Sequence, residues 1–345
     1  MVKPNSYNLV MSAMFGGRRG PRPPVGNPTS IACHGLMEKA GAWFPEVHLN
    51  ARAMAELALA GHEILGFDTV MPEFSVDQEA AALGAQVDWG DRDCMPDVKG
   101  FPHADFSDIE IPPDFLEKPS CRVVLDALSI LRRHVGGRVA IVGKVMGPWT
   151  LSYHMVGTQS FLLAVGMGET AKVKKMLRQL MPATIAFANA QLAAGADIVV
   201  LADHATRNLV GPHHYREYLL PIHQELAAQV GGPIILHVCG NCSDRLELFA
   251  QTGVDAYHFE WQVDSREAVA RIGDKVSLVG NVNNPRTLLQ GTPQEVYQQA
   301  RYAIEAGVHI IGPECAIPLT TPVENLRAVV EAARAGYEVE GGQTR

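Results

Sequence analysis

In the stretch PIILHVCGNCSDRLELF, Pro233 to Phe249, His237 and Cys239 stand two residues apart at the end of an apolar run. If that run is a β-strand, side-chain alternation puts the imidazole and the thiol on the same side. Cys315 ends a later apolar run, HIIGPEC, and Glu260 ends another, DAYHFE, that lies between the two. One imidazole, two thiols and one carboxylate are the donors of a tetrahedral zinc site. Structural zinc sites draw their ligands in close pairs such as Cys-x2-Cys. A set dispersed over three runs, with one weakly held carboxylate, suits a catalytic ion that needs a displaceable position. His258, on the same side of its run as Glu260, is the competing ligand. Cys239 and Cys242 also form C-G-N-C, a possible redox pair. Such pairs sit at a helix start in a thioredoxin-like unit, so Cys242 is expected to be a bystander. Cys33, Cys94 and Cys121 have no partner spacing and read as structural.

The elements that must carry these residues alternate along the chain. Strands are expected over Arg138–Val145, Ala196–Asp203, Pro233–Cys239, Asp255–Glu260, Lys275–Val282 and His309–Cys315. Between and after them, helices are expected over Glu169–Ala194, Tyr215–Val230, Ser243–Gly253, Ser265–Gly273, Thr292–Gly307 and Pro322–Arg334. Short apolar strands alternating with long helices mean repeated βα units and a parallel sheet. No strand is followed by a Gly-rich phosphate loop, so an α/β fold of the (β/α)8 TIM-barrel type fits better than an open nucleotide-binding sheet. The N-terminal third is less regular. A helix is expected over Met54–Gly66 and a strand over Phe67–Phe74, with Gly16–Pro28 a Pro/Gly/Arg loop. The reading is one barrel domain over residues 1–345 with an N-terminal extension.

Active sites of such barrels lie where strands end and βα loops begin. That rule selects Lys144–Trp149, Asp203 and His204, His237 and Cys239, His258 and Glu260, Asn281 and Asn283, and Glu314 and Cys315. All four proposed zinc ligands fall in this set. Asp203 could equally cap the following helix or contact a ligand. The chain carries 29 Lys and Arg against 37 Asp and Glu, a net charge of −8, and has no basic-aromatic patch. Nucleic-acid binding therefore has no support. The basic run AKVKKMLRQL, Ala171 to Leu180, reads as a solvated helix face. No apolar stretch is long enough to span a membrane and no signal-peptide core is present, so a cytoplasmic protein is expected, in which six cysteines lean toward metal or redox chemistry.

Several longer stretches resemble a known family: GNPTSIACHGLMEKAGAWFPEVH, LALAGHEILGFDTVMPEFSVDQEAAALG, GPWTLSYHMVG, GADIVVLAD, LHVCGN, LVGNVNNPRTLLQGTP and GPECAIPLTTPVENL. Together they span nearly the whole chain. They resemble the uroporphyrinogen decarboxylase superfamily, and within it the methylcobamide:coenzyme M methyltransferases of the methanol, methylamine and chloromethane systems. The resemblance implies zinc held by His237, Cys239 and Cys315, with Glu260 as displaceable fourth ligand. It implies methyl transfer from a methylcobalamin-type corrinoid, carried on a small corrinoid-binding partner protein, to the thiol of coenzyme M. Trp149, Asp203 and Asn281 are the candidates for cofactor contact. Tetrahydrofolate is an alternative acceptor. So is the opposite half-reaction, in which a methoxy or methylthio donor methylates Co(I). Uroporphyrinogen decarboxylation is disfavoured because Ala42 stands where the decarboxylases carry an arginine and no aspartate directly follows Phe74 and Ser75.

Overall fold

The computed structural model describes residues 5–15, 20–106 and 108–335. Nine strands are present among them: β1 (Thr69–Val70), β2 (Gln86–Asp88), β3 (Asp97–Gly100), β4 (Ala140–Met146), β5 (Ile198–Ala202), β6 (Ile234–His237), β7 (Ala256–His258), β8 (Ser277–Val282) and β9 (Ile310–Pro313). Seven of them form one parallel sheet in the order β1-β4-β5-β6-β7-β8-β9. Every residue of β4, β5 and β8 is buried. This is why these runs are continuously apolar rather than alternating: helices cover one face and the barrel interior the other.

The loop expected over Gly16–Pro28 closes the barrel. Residues 16–19 lie outside those described, but Pro24–Gly26 is an eighth stave between β9 and β1. Val25 bridges Ile311 in parallel. The Gly26 N–H donates to the Ile311 carbonyl, the Ile311 N–H to the Pro24 carbonyl, and the Asp68 N–H to the Val25 carbonyl. Prolines lower strand propensity, yet Pro24 here needs only its carbonyl. The contact with β9 is so close that a Cβ on Gly312 would lie 1.9 Å from the Gly26 oxygen.

Helix Ser6–Met14 lies across the N-terminal end of the barrel. Its Tyr7 N–H donates to the Arg138 carbonyl and its Ala13 carbonyl accepts from Ser277 Oγ at 2.8 Å. Val10 points at a small apolar gap beneath Val142, Ile198, Ile235, Val279 and Ile310. Beside it, Asp68 takes two hydrogen bonds from Arg22, at 2.7 and 2.8 Å, one from Ser6 Oγ at 2.6 Å and one from the Val25 N–H. The extension is thus a plug, tied down at a fully paired ionic cluster.

Several elements differ from expectation. The strand expected over Phe67–Phe74 narrows to β1. The helix expected over Ser243–Gly253 is a 3-10 turn, Ser243–Arg245, followed by Leu246–Phe249. The helix expected from Tyr215 opens with a π-helical turn, Tyr215–Leu219, before Leu220–Gln229. Pro221 has no N–H to offer the Glu217 carbonyl, so regular α-bonding cannot run through this point. The antiparallel hairpin of β2 and β3 and the helices Pro148–Val156 and Thr158–Gly166 complete the C-terminal rim of the barrel.

Candidate metal centre

β6 ends at His237, buried Val238 separates it from Cys239, and His237 and Cys239 both line the cavity inside the barrel's rim. β9 ends at Pro313, two residues before Cys315. His237 Nε2 lies 3.0 Å from Cys239 Sγ and 3.5 Å from Cys315 Sγ. The two sulfurs are 3.8 Å apart, and both cysteines are free. Among the described residues this is the one group of three or more His, Cys, Asp or Glu donors whose ligand atoms all lie within 4.8 Å of one another. The Cys239 thiol donates to Cys315. That bond holds Cys315 well below the usual thiol range and pushes Cys239 above it.

Glu260 stands beside this trio and outside it. Its carboxylate accepts from the Gly240 N–H, while burial, the largest effect, raises its pKa. The loop that carries it is held by Asn281, whose Nδ2 donates to the Val263 carbonyl at 3.0 Å and whose Oδ1 accepts from Ser265. Glu314 fixes the same rim: its two oxygens accept the Asn284 and Trp261 N–H groups at 2.8 and 2.7 Å, and burial pushes it up to about 8. His258 does not join the trio. Its Nε2 donates to the Pro313 carbonyl at 2.9 Å, and its ring packs 4.6 Å from that of His237. Burial keeps it neutral, so it backs the His237 imidazole, whose own Nδ1 finds no hydrogen-bond partner. Cys242 is buried, its thiol pushed up to about 12 by burial, and donates to the Cys239 carbonyl.

A cavity of about 420 Å³ opens over the trio. One wall comes from the hairpin, with Met95, Asp97 and Phe101; another from Tyr153, His154 and Thr158. Lys144, on β4, borders it. Its ammonium is buried and donates to the Glu73 carbonyl at 2.8 Å and, at 3.4 Å, to that of Thr29. Burial lowers its pKa, against the opposing charges of Glu73 and Glu79. Behind it, burial raises Glu73 well above the carboxylate range and Glu79 to about 7. Glu79 accepts the Met146 N–H at 2.7 Å.

The three residues expected to contact a cofactor fare differently. Asp203 does line the cavity, but its carboxylate is committed. Oδ1 accepts the Thr150 N–H and hydroxyl at 2.7 and 2.9 Å, and Oδ2 pairs with His223 Nε2 at 3.0 Å. It satisfies a first-turn N–H of helix Pro148–Val156 that would otherwise be orphaned. Asn281 and Trp149 do not line the cavity. Asn281 is turned into the Glu260–Ser265 loop. Trp149 is fully buried against Phe161, with ring centroids 4.8 Å apart, and its indole N–H donates to Tyr153. Of the two, Tyr153 reaches the cavity, and Trp149 positions it. Asp77, His154 and the hairpin are cavity residues that the strand-end rule does not select.

A family model described as uroporphyrinogen decarboxylase (URO-D) matches residues 7–336. A methylcobamide:CoM methyltransferase of Methanosarcina barkeri is 33% identical over 328 residues, covering 94% of this chain and 96% of its own length. A methylated-thiol–coenzyme M methyltransferase of Methanosarcina mazei is 32% identical, covering 94% and 88%. A solved methyltransferase from Methanosarcina mazei superposes with a TM-score of 0.93 at 32% identity, over 97% of this chain and 99% of that one. The chain belongs to the uroporphyrinogen decarboxylase family and stands, within it, with the methylcobamide:CoM methyltransferases.

Proposed function

We propose that the protein is a zinc-dependent methyltransferase that moves a methyl group from a methylcobamide, presented by a corrinoid protein in the cytoplasm, to a short thiol. Coenzyme M, named for the relatives, is the acceptor to test first. The observation that carries this reading is the size of the donor triangle. Zinc bond lengths of about 2.3 Å to sulfur and 2.0–2.1 Å to nitrogen imply tetrahedral edges of about 3.8 Å between sulfurs and 3.5–3.6 Å between sulfur and nitrogen. Two of the edges here, 3.8 and 3.5 Å, have those lengths, and the third, between His237 and Cys239, is shorter at 3.0 Å. Three protein ligands and an open fourth position are the arrangement of a catalytic zinc.

His237, Cys239 and Cys315 would hold the metal. When bound, zinc supplies the Lewis acidity that makes a coordinated thiol a thiolate at neutral pH. Glu260, the displaceable fourth ligand, is the carboxylate beside the trio and takes the proton that the acceptor thiol gives up. The acceptor sulfur then forms the new C–S bond as the Co–C bond breaks, and both electrons of that bond stay on cobalt as Co(I). Two anionic cysteines around one cation leave the acceptor sulfur electron-rich. Lys144, Tyr153 and the hairpin shape the cavity in which it is held. Metal analysis of the wild type and of His237→Ala tests the reading, together with spectroscopic demethylation of methylcobalamin by coenzyme M. Close to one zinc per chain, lost in the variant along with turnover, is expected. A zinc-free protein that is still active would refute it.

A further inference from the structure

Two of the six cysteines are placed to react with one another. Cys239 Sγ and Cys315 Sγ are 3.8 Å apart, and neither is in a disulfide. A disulfide holds its sulfurs about 2.05 Å apart, so closing the gap moves each sulfur by about 0.9 Å, a distance that side-chain rotation covers. Both thiols are half-buried and line the cavity, so a small oxidant reaches them through its mouth. The other four cysteines are worse placed. Cys33 and Cys121 are buried, and burial pushes both thiols up. Cys94 is exposed, but the Asp91 charge beside it raises its thiol, and a protonated thiol is a poor nucleophile. Cys242, the partner that C-G-N-C suggests, is buried, and its thiol turns to the Cys239 carbonyl at 3.6 Å. The pair that the fold assembles is therefore not the pair that the motif presents. Cys239 follows β6 and Cys315 follows β9, with β7 and β8 between those strands in the sheet. A bond between them would cross the barrel mouth and take two of the three metal donors at once.

We infer that Cys239 and Cys315 form a reversible disulfide when a hydroperoxide enters the cavity, and that this bond switches the metal centre off. One thiol attacks the O–O bond and keeps one oxygen as a sulfenic acid, while the other oxygen leaves as water with the thiol's proton. The second thiol attacks the sulfenic sulfur. The S–S bond forms, the S–O bond breaks, and the oxygen leaves as a second water. The two sulfurs lose two electrons in all, and the peroxide is reduced to two waters. Where the thiols start as zinc-bound thiolates, solvent supplies the two protons. Because the second sulfur lies 3.8 Å away, the sulfenic acid is consumed before it reaches the irreversible sulfinic stage. A disulfide sulfur has no anionic charge to offer a metal ion, so the ion departs. A dithiol restores both cysteines by exchange and is itself oxidised to a disulfide. The bond rests on the geometry of the pair; only metal release rests on the zinc reading.

Zinc-loaded and chelator-stripped protein are treated with hydrogen peroxide. The readouts are intact mass, a peptide map without reductant, and a chromogenic zinc chelator. Both forms should lose two hydrogens in mass and yield a Cys239–Cys315 cross-linked peptide, and the loaded form should release one zinc per cross-link. Dithiothreitol with added zinc should restore both thiols and metal content. Cys242→Ser should cross-link at a rate within about twofold of wild type, whereas in Cys315→Ala the oxidation of Cys239 should run on to the sulfinic acid. A Cys239–Cys242 cross-link, sulfinic acid in place of the cross-link in the wild type, or a cross-link that leaves zinc bound overturns the inference. The two readings fail separately. If the protein binds no zinc yet cross-links, the zinc reading fails and the disulfide stands. If zinc is bound and peroxide yields no cross-link, the inference fails alone.

Discussion

The two ends of the barrel handle charge in opposite ways. At the N-terminal end Asp68 is 0% exposed, and each of its oxygens is saturated by Arg22, Ser6 or the Val25 N–H. The gap beside it is small and apolar. At the C-terminal end the polar atoms outnumber their partners. His237 Nδ1, His154 Nδ1, Asp77 Oδ2 and both oxygens of Glu73 are buried and unpaired, and burial raises Asp77, Glu79 and Glu314. The same fold thus spends a complete ionic network on closure and leaves an incomplete one at the chemistry. Unmet donors and acceptors are what a site presents to a metal and a substrate; the ionic cluster around Asp68 leaves none. Substitutions at the two ends should therefore part cleanly into loss of function and loss of stability.

Cys315→Ala should have the largest effect. It removes one donor of three, so metal binding should fall by more than the roughly 100-fold that a supporting residue costs, and turnover should vanish with it. The melting temperature of the metal-free protein should stay near that of the metal-free wild type, because the tie from Cys315 to the closing segment is its backbone carbonyl, which accepts from Asn27 and survives the substitution. An unfolded variant would mean that the top of the barrel is structural after all.

Asp68→Ala tests the other end. It leaves Arg22, whose side chain is 16% exposed, without its counter-charge, and strips partners from Ser6 and the Val25 N–H. A loss of about 4 kcal/mol in denaturant unfolding is expected, with kcat of the remaining folded enzyme within about twofold of wild type. A selective fall in kcat would show that the two ends are coupled.

How much of this contrast was legible in the sequence depended on how local the signal was. His237 and Cys239 could be placed on one side because the period of a strand is two. Cys315 and Glu260 could be placed on the same rim because parallel strands all end on one side of the barrel. The closing stave at Pro24–Gly26 was not legible. Three residues with a proline and a glycine carry no alternation, and the stave exists only because β1 and β9 flank it. Trp149 and Asn281 sit at strand ends like the ligands, but neighbours that are distant in sequence, Phe161 for one and Ser265 for the other, draw them away from the cavity. Asp77 lies in a loop, where no period says which way a side chain turns.

Glu260→Gln bears on the chemistry of the upper end alone. The amide keeps the volume and can still accept from the Gly240 N–H, but it can take no proton from an incoming thiol. Zinc content should hold, while single-turnover methyl transfer slows by about 100-fold. An unchanged rate would remove Glu260 from the mechanism and leave the trio to act without it.

The smallest effect tests whether the upper end is unstable because of its unmet charges. Burial raises Asp77 from 3.8 to about 6, so between those values the folded protein binds a proton that the unfolded chain releases. Stability from this group is present at low pH and is lost as pH rises through about 6, a penalty whose upper bound is about 3 kcal/mol. Asp77→Asn removes the penalty. At pH 7.5 the variant should be more stable than wild type by about 1–2 kcal/mol, and the advantage should shrink through pH 6 and vanish near pH 4. His154 acts in the opposite sense, since burial lowers it from 6.5 to about 4 and acid favours the unfolded chain, which takes up the proton more readily. Its contribution is common to both proteins and cancels in their difference. Paired denaturant titrations from pH 4 to 7.5 measure that difference directly. A variant no more stable than wild type at pH 7.5 would mean that the free oxygen of Asp77 is already satisfied, and the contrast between the two ends of the barrel would lose one of its terms.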